Sequence, residues 1–193
     1  MYIEKEKRMK VIFLDLDEVL NGNSNIFLGF ILSYLPKLYN WLEAKNIIPN
    51  LYGIHENKVK ILAEICHKTG AVVVITESWR FKLWKYYWNR TLVDSNPNDN
   101  SSVLLNLFRY YNIKIKDITE KDNRYHNKDL EIESWLAKHE SKIYSFVVLD
   151  SEPSKLFNDR QVCTIDNSDK WYTLKGLRRK HIDQAIKILS TKI

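Results

Sequence analysis

The sequence predicts an α/β fold in which a mostly parallel sheet is covered by helices on both faces. Five short runs rich in β-branched and aromatic residues recur along the chain, and most are followed by a segment with apolar residues spaced three and four apart. Three of the runs are almost continuously apolar, which is typical of strands buried on both faces of a parallel sheet. Strands that alternate with helices predict right-handed βαβ units in a doubly wound sheet of five strands.

The elements follow one another in a regular order. The predicted strands are 11–16, 71–75, 113–118, 144–149 and 161–165. The predicted helices are 59–66, 103–111, 130–136 and 174–189. The third strand alternates apolar and charged residues, which predicts an edge position. Gly70 stands where the first of these helices must end, and a glycine there favours the left-handed conformation that terminates a helix.

One segment falls outside this alternation of strands and helices. Residues 21–53 follow the first strand and carry their own helical pattern, so they predict a small cap or lid inserted over the carboxyl edge of the sheet. Residues 94–102 and 119–127 are strongly polar and predict loops. No linker separates two units, so we expect a single domain over residues 1–193.

Composition narrows the class of protein. The chain has 193 residues, 45% of them hydrophobic and 12% aromatic, which excludes disordered and low-complexity classes. No apolar run approaches the ~18 residues needed to span a bilayer, and neither a signal-peptide pattern nor a Cys-x-x-Cys pair is present, so we expect a cytoplasmic protein without membrane contact. The net charge of +6 favours an anionic partner, either nucleic acid or a phosphorylated metabolite.

Polar side chains follow the first predicted strand, where parallel α/β sheets bind their ligands. Asp15 and Asp17 are separated by one residue, so the period of two in a strand places them on the same side. One carboxylate could then hold a metal ion or attack a substrate while the other moves a proton. A single Asp after a strand is more often a turn or capping residue.

Further polar residues follow the second and fourth predicted strands. Thr76 and Ser78 offer hydroxyls to an anion, and Asp150 and Glu152 form a second acidic pair. Carboxylates from neighbouring strands make the hard oxygen site that suits Mg²⁺. The alternatives are that the two hydroxyls cap a helix starting near Trp79 and that Glu152 is a surface residue.

The order of these motifs resembles the haloacid dehalogenase (HAD) superfamily. Residues 10–21 (KVIFLDLDEVLN) resemble its first motif, an apolar strand followed by D-x-D-G-[VT]-L. Residues 68–80 (KTGAVVVITESWR) are similar to the TGA-strand-SSSWR segment of the HAD domains in Swiss Army Knife RNA-repair proteins. Residues 130–136 (LEIESWL) and 147–152 (VVLDSE) match the later EI-x-x-WL and ILDD segments of that subset.

The resemblance implies a Rossmannoid three-layer α/β/α sandwich and a set of roles. Asp15 would be the nucleophile that forms an aspartyl-phosphate. Asp17 would be the general acid and base, and its backbone carbonyl would join Asp15 and Asp150 on Mg²⁺. Thr76 would hydrogen-bond the phosphoryl oxygens, and Lys128 would neutralise their charge.

The residues around these motifs have implied roles as well. Trp79 and Arg80, with Ser78, would hold a further phosphate or stack on a base. Lys128 is assigned by its spacing before the EI-x-x-WL segment, and Lys121 or Arg124 could substitute for it.

Three departures from the family pattern lie in these motifs. Glu18 replaces the usual Gly, which implies strain in the turn or a disturbed metal site. Ser151 replaces the second Asp of a pair, so metal binding would depend on Asp150 with Glu152 or a water. Glu77 replaces a small hydroxyl and would repel an anionic substrate.

The leading hypothesis is a magnesium-dependent phosphatase for a phosphomonoester, with nucleic-acid ends or nucleotides as preferred substrates. One alternative is a HAD scaffold without turnover that binds nucleic acid or protein. The other is a small-metabolite phosphatase in which residues 21–53 select the substrate. In each case the predicted site is acidic, so the positive charge of the chain must lie elsewhere.

Overall fold

A five-stranded parallel sheet runs through the chain in the computed structural model. The structure describes residues 8–21, 53–76, 79, 83, 100–120, 127–165 and 176–193. The strands are β1 (Met9–Leu14), β2 (Val72–Ile75), β3 (Ile115–Ile118), β4 (Ile143–Asp150) and β5 (Gln161–Cys163). Their order in the sheet is β3-β2-β1-β4-β5, and every neighbouring pair is parallel.

Four α-helices have bounds within the described residues. They are α1 (Glu56–Thr69), α2 (Asn100–Tyr110), α3 (Lys128–His139) and α4 (Lys180–Ser190). Short 3-10 turns at Glu140–Lys142 and Asn158–Arg160 lead into β4 and β5. In this part of the chain no helix has the length and apolar character needed to cross a membrane.

The helices divide between the two faces of the sheet. On β1, Ile12 and Leu14 pack into a cluster that takes residues from α1, α2 and α4, whereas Val11 and Phe13 pack into a second cluster with Ile132 and Trp135 of α3. The alternation follows from the period of two in a strand, and burial on both faces explains why β1 is apolar from Val11 to Leu14. The three-layer α/β/α arrangement is confirmed.

The register of the central strands sets the position of the site. Leu14 pairs with Ile75 on one side and with Leu149 on the other, so Asp15, Thr76 and Asp150 follow at one level of the sheet. The pairing extends one residue further, because the Asp15 N–H donates to Leu149 O (3.0 Å) and the Thr76 N–H to Leu14 O (3.1 Å). These three polar residues from adjacent strands therefore lie together at the carboxyl edge of the sheet.

All five predicted strands and all four predicted helices are present, with ends that differ by up to three residues except at the start of the last helix. Residues 100–102, predicted as part of a loop, instead form the first residues of α2. The alternating third strand is the edge strand β3, and Gly70 ends α1 with φ 69°. The last helix begins at Lys180 instead of near residue 174. Leu177 is buried but precedes the helix, since its N–H donates to Val19 O (2.9 Å). The predicted cap lies outside the described residues except for 21 and 53, so the cap and the single-domain boundary stay predictions.

The turn that follows β1 is held by three distant segments of the chain. The backbone carbonyls of residues 18, 19 and 20 each accept a hydrogen bond, and the donor comes from a different segment of the chain in each case. The pairs are Glu18 O with Thr164 Oγ1 (3.2 Å), Val19 O with Leu177 N (2.9 Å) and Leu20 O with His55 N (3.0 Å). Since loops after β5, before α1 and before α4 all meet here, the backbone beside Asp15 and Asp17 has little freedom to move.

Gly176 is the position where this arrangement depends on the absence of a side chain. Both Gly176 and Gly70 have positive φ (99° and 69°), which strains any other residue by about 1–2 kcal/mol. A Cβ on Gly176 would lie 2.8 Å from Val19 O and 2.5 Å from Lys58 Nζ, whereas a Cβ on Gly70 meets nothing within 4 Å. We therefore expect Gly176→Ala to lower the free energy of unfolding by more than Gly70→Ala, as measured by urea titration. Equal losses would show that the contact with Val19 is not rigid.

Candidate active site

A lysine ammonium lies between two buried carboxylates at the centre of the carboxyl edge. Asp15 follows β1 and Asp150 ends β4, and Lys128 is the first residue of α3. Lys128 Nζ is 3.6 Å from Asp15 Oδ2 and in close contact with Asp150 Oδ2. The side chains of Asp15, Asp150 and Lys128 are 10%, 1% and 12% exposed. With all three ionised, this group carries a net charge of −1.

Backbone donors orient both carboxylates. Asp15 Oδ1 accepts a hydrogen bond from the Asp17 N–H (3.1 Å), and Asp150 Oδ1 accepts one from the Glu152 N–H (2.8 Å). Each aspartate thus uses one oxygen on the loop that follows it and directs the other towards Lys128. Hydrogen bonds from backbone N–H groups to ionised oxygens are strong and need no side-chain ordering, so the pair is preorganised.

Thr76 brings a hydroxyl to the same level from β2. Its side chain is buried (1% exposed), and within the described residues Oγ1 makes no hydrogen bond. A buried hydroxyl without a partner is unfavourable by about 1–3 kcal/mol, so it calls for an explanation. An anion bound beside Asp15 would supply the missing acceptor.

The start of α3 is tied to the loop after β4, and this connection places Lys128. Asn127 caps the helix, its Oδ1 accepting from the Asp129 N–H (3.0 Å). Asp129 Oδ2 in turn accepts from the backbone N–H groups of Lys155 (3.0 Å) and Leu156 (3.3 Å). The helix that carries Lys128 is therefore joined to the segment that begins at Asp150. Lys121 and Arg124, the alternatives to Lys128, lie outside the described residues.

Asp17 differs from Asp15 in being exposed. Its Oδ1 accepts two hydrogen bonds, from Asn21 Nδ2 (2.7 Å) and from Trp79 Nε1 (2.9 Å). Asn21 was not among the predicted site residues, and the signal that could have identified it is its place four residues after Asp17, within reach in a tight turn. An exposed carboxyl at this point can meet both a substrate and solvent.

The position of Trp79 changes its assignment. The sequence suggested that its ring could stack on a base, but the side chain is 1% exposed and packs in the cluster that contains Leu16 and Leu83. A buried ring offers no face for stacking on a base, and the group that reaches the site is the indole N–H, which donates to Asp17 Oδ1. Ser78 and Arg80, the other predicted substrate contacts, lie outside the described residues.

Comparison with known families agrees with this geometry. The model of the HAD domain in Swiss Army Knife RNA repair proteins matches residues 11–169. The chain belongs to this family. The resemblance inferred from the motifs is thereby confirmed, and membership indicates a hydrolase of the HAD type. No curated protein and no solved structure matches the chain.

The residues of this HAD domain fit a magnesium ion. Asp15 and Asp150 provide two carboxylates from adjacent strands, and carboxylate and carbonyl oxygens with retained waters are the ligands that Mg²⁺ prefers. Within the described ranges no three Asp, Glu, His or Cys side chains gather into a metal-binding cluster, and the third predicted protein ligand is the Asp17 carbonyl.

Glu152 contributes backbone groups to the site. Its N–H donates to Asp150 and its carbonyl accepts from Gln161 Nε2 (2.5 Å), which also binds the following loop through Ser154. The residue is exposed. A role for the Glu152 carboxylate on the metal stays a prediction.

Glu18 occupies the usual glycine position with a left-handed backbone (φ 55°). Its N–H donates to Asn21 Oδ1 (2.7 Å), which completes the turn. Strain of about 1–2 kcal/mol is expected for a non-glycine residue in this conformation. Its carboxylate interacts electrostatically with Lys58 of α1, so the third negative charge of the motif has a cationic neighbour.

Lys58 provides a measurable consequence of this arrangement. Burial lowers its pKa from 10.5 to about 8, with Glu18 opposing the shift and Arg178 adding to it. Between these two values the unfolded chain holds a proton that the folded chain lacks, so the contribution of Lys58 to the free energy of unfolding rises with pH and is lost as the pH falls through about 8.

We expect this rise to disappear in Lys58→Met when urea unfolding is compared at about pH 7 and about pH 10. Lys60→Met is the matched control, because Lys60 is an exposed residue of the same helix whose hydrogen bond to Glu56 raises its pKa. A rise of equal size in Lys58→Met and the wild type would contradict the assignment.

Proposed function

We propose that the protein is a magnesium-dependent phosphatase that hydrolyses a phosphomonoester through an aspartyl-phosphate on Asp15. The observation that carries the proposal is the group at the ends of three adjacent strands: Asp15 and Asp150 with Lys128 between them, beside the buried Thr76 hydroxyl. Phosphoryl transfer requires a nucleophile, positive charge and hydrogen-bond donors around the phosphoryl group. These residues offer all three at one level of the sheet.

The chain supplies the groups for two successive displacements. In the first, the Asp15 carboxylate forms a bond to phosphorus while the ester P–O bond breaks, and Asp17 in its acid form gives its proton to the departing alkoxide. In the second, the Asp17 carboxylate takes a proton from water as the water oxygen attacks phosphorus. The Asp15–phosphorus bond then breaks, releasing inorganic phosphate and restoring both aspartates.

The phosphoryl group needs positive charge and hydrogen-bond donors around it. Lys128 offers an ammonium adjacent to Asp15, and Thr76 offers a buried hydroxyl. Bound Mg²⁺, held by Asp15, Asp150 and the Asp17 carbonyl, would neutralise further charge on the phosphoryl oxygens. These are electrostatic and positioning effects, which dominate the catalysis of this reaction.

Nucleic-acid ends or nucleotides are the proposed substrates. The family is described by its occurrence in RNA repair proteins, and the chain carries a net charge of +6 although its site is acidic. Positive charge outside an acidic centre attracts a polyanion without competing for the metal.

We expect Mg²⁺-dependent release of phosphate from a 3′-phosphorylated oligonucleotide, abolished in Asp15→Asn because an amide is a poor nucleophile. Asp159→Asn is the control, since Asp159 is an exposed residue of the turn that precedes β5, whereas the site follows the ends of the strands. Activity retained in Asp15→Asn would exclude the nucleophile. Absence of turnover on oligonucleotides, nucleotides and sugar phosphates, with salt-sensitive RNA binding, would instead identify a binding scaffold.

The same assay tests the role of Thr76. We expect Thr76→Val to lower kcat by roughly 10²-fold, the usual effect of removing one donor to a developing anion. The substitution keeps the shape of the side chain, and since the hydroxyl makes no hydrogen bond in the described residues, stability should not fall. A stable variant with unchanged kcat would show that the hydroxyl does not touch the phosphoryl group.

A further inference from the structure

Two neutral N–H donors converge on one oxygen of Asp17. Asn21 and Trp79, which lie four and 62 residues from Asp17 in the chain, both donate to Oδ1. We propose that these two are positioning residues that hold the Asp17 carboxyl in one orientation for its acid and base steps. This inference rests on the proposed phosphatase function and assigns residues that orient its acid.

The direction of each hydrogen bond follows from the chemistry of the donors. An indole Nε1–H can only donate, and it does not ionise. The Asn21 amide has two possible orientations, but the Glu18 N–H donates to its Oδ1 (2.7 Å), so the amide nitrogen must face Asp17. Oδ1 therefore accepts both hydrogen bonds, and together the two donors fix the plane of the Asp17 carboxyl.

The two donors differ in how they are held. Asn21 belongs to the same turn as Asp17 and moves with it. Trp79 is 1% exposed and packs with Leu16 and Leu20 in the core, so its N–H is fixed relative to the sheet. An exposed aspartate would otherwise sample several rotamers. The hydrogen bond from the indole therefore fixes the orientation of Asp17 relative to the core, which also positions Asp15.

Loss of this orientation should affect substrates unequally. An alkyl ester leaves as a strongly basic alkoxide that needs a proton, whereas 4-nitrophenyl phosphate leaves as a weakly basic phenolate that needs none. In both cases kcat/KM reports steps up to phosphoryl transfer to Asp15, before water attacks. A defect in delivering the proton therefore appears in kcat/KM for the alkyl ester alone.

We expect Trp79→Phe, which keeps a packed ring, to lower kcat/KM for a 3′-phosphorylated oligonucleotide by about 10- to 100-fold, part of the usual contribution of general acid catalysis. For 4-nitrophenyl phosphate the decrease should be less than about threefold. Trp135→Phe is the matched control, since that indole donates to Asp117 (2.9 Å) on the other face of the sheet. It should leave the ratio of the two values unchanged.

Each other outcome has a definite meaning. Equal decreases for the two esters in Trp79→Phe would show a merely structural effect and overturn the inference, and so would no decrease for either. A wild type that hydrolyses neither ester would overturn the proposed function itself and this role with it.

The hydrogen bond can also be observed without turnover. The chain has six tryptophans, and the indole ¹H–¹⁵N signal of Trp79 is the one that disappears in Trp79→Phe. Asp17→Ala should shift that signal, because it removes the acceptor, while Asp117→Ala should shift the Trp135 signal instead. A Trp79 signal unaffected by Asp17→Ala would overturn the inference.

Discussion

Much of the described structure serves to hold the charged groups of Asp15, Asp150 and Lys128 together. Burying ionised groups is unfavourable by several kcal/mol per ion unless close contacts and further hydrogen bonds compensate for the lost hydration. The fold supplies such contacts to all three residues. The parallel register sets both aspartates at one level, backbone N–H groups from the loops take one oxygen of each, and the Asp129 contacts bring Lys128 between them. Two carboxylates from neighbouring strands are also the kind of ligand that a magnesium ion prefers.

In the turn after β1 the chain accommodates Glu18 at a position where the family pattern has a glycine. A glycine would adopt the left-handed backbone without strain, whereas Glu18 does so with a side chain and a charge. Hydrogen bonds at its own N–H and carbonyl hold the conformation, and Lys58 lies near enough to interact with its carboxylate. The carbonyls of Val19 and Leu20 are held by other segments, so strain at Glu18 is not relieved by moving the turn. The departure from the family pattern is thus compatible with an intact site.

The sequence predicted the sheet and the residues at its carboxyl edge because both depend on local pattern. Burial on both faces makes β1 apolar from residue 11 to residue 14, and an edge strand alternates. Parallel strands end at one edge, which brings Asp15, Thr76 and Asp150 together. Contacts between distant segments were not predictable in this way. The helix α4 starts late because Leu177 pairs with Val19, and Trp79 donates to Asp17 instead of facing a ligand. Propensity and spacing carry no information on such partners.

Asp15 and Asp17 stand one residue apart and yet are held by different means, and the difference follows from their proposed tasks. A nucleophile that reacts with one atom in one direction can be buried and fixed by backbone donors, as Asp15 is. A group that must serve a leaving alkoxide and then water has to reach solvent, so Asp17 is exposed and the surrounding backbone cannot enclose it. Its orientation must then come from side chains, and a buried indole is suited to that purpose because it combines a rigid packed body with a single outward donor. In this domain a core residue, Trp79, therefore sets the orientation of the exposed Asp17 carboxyl.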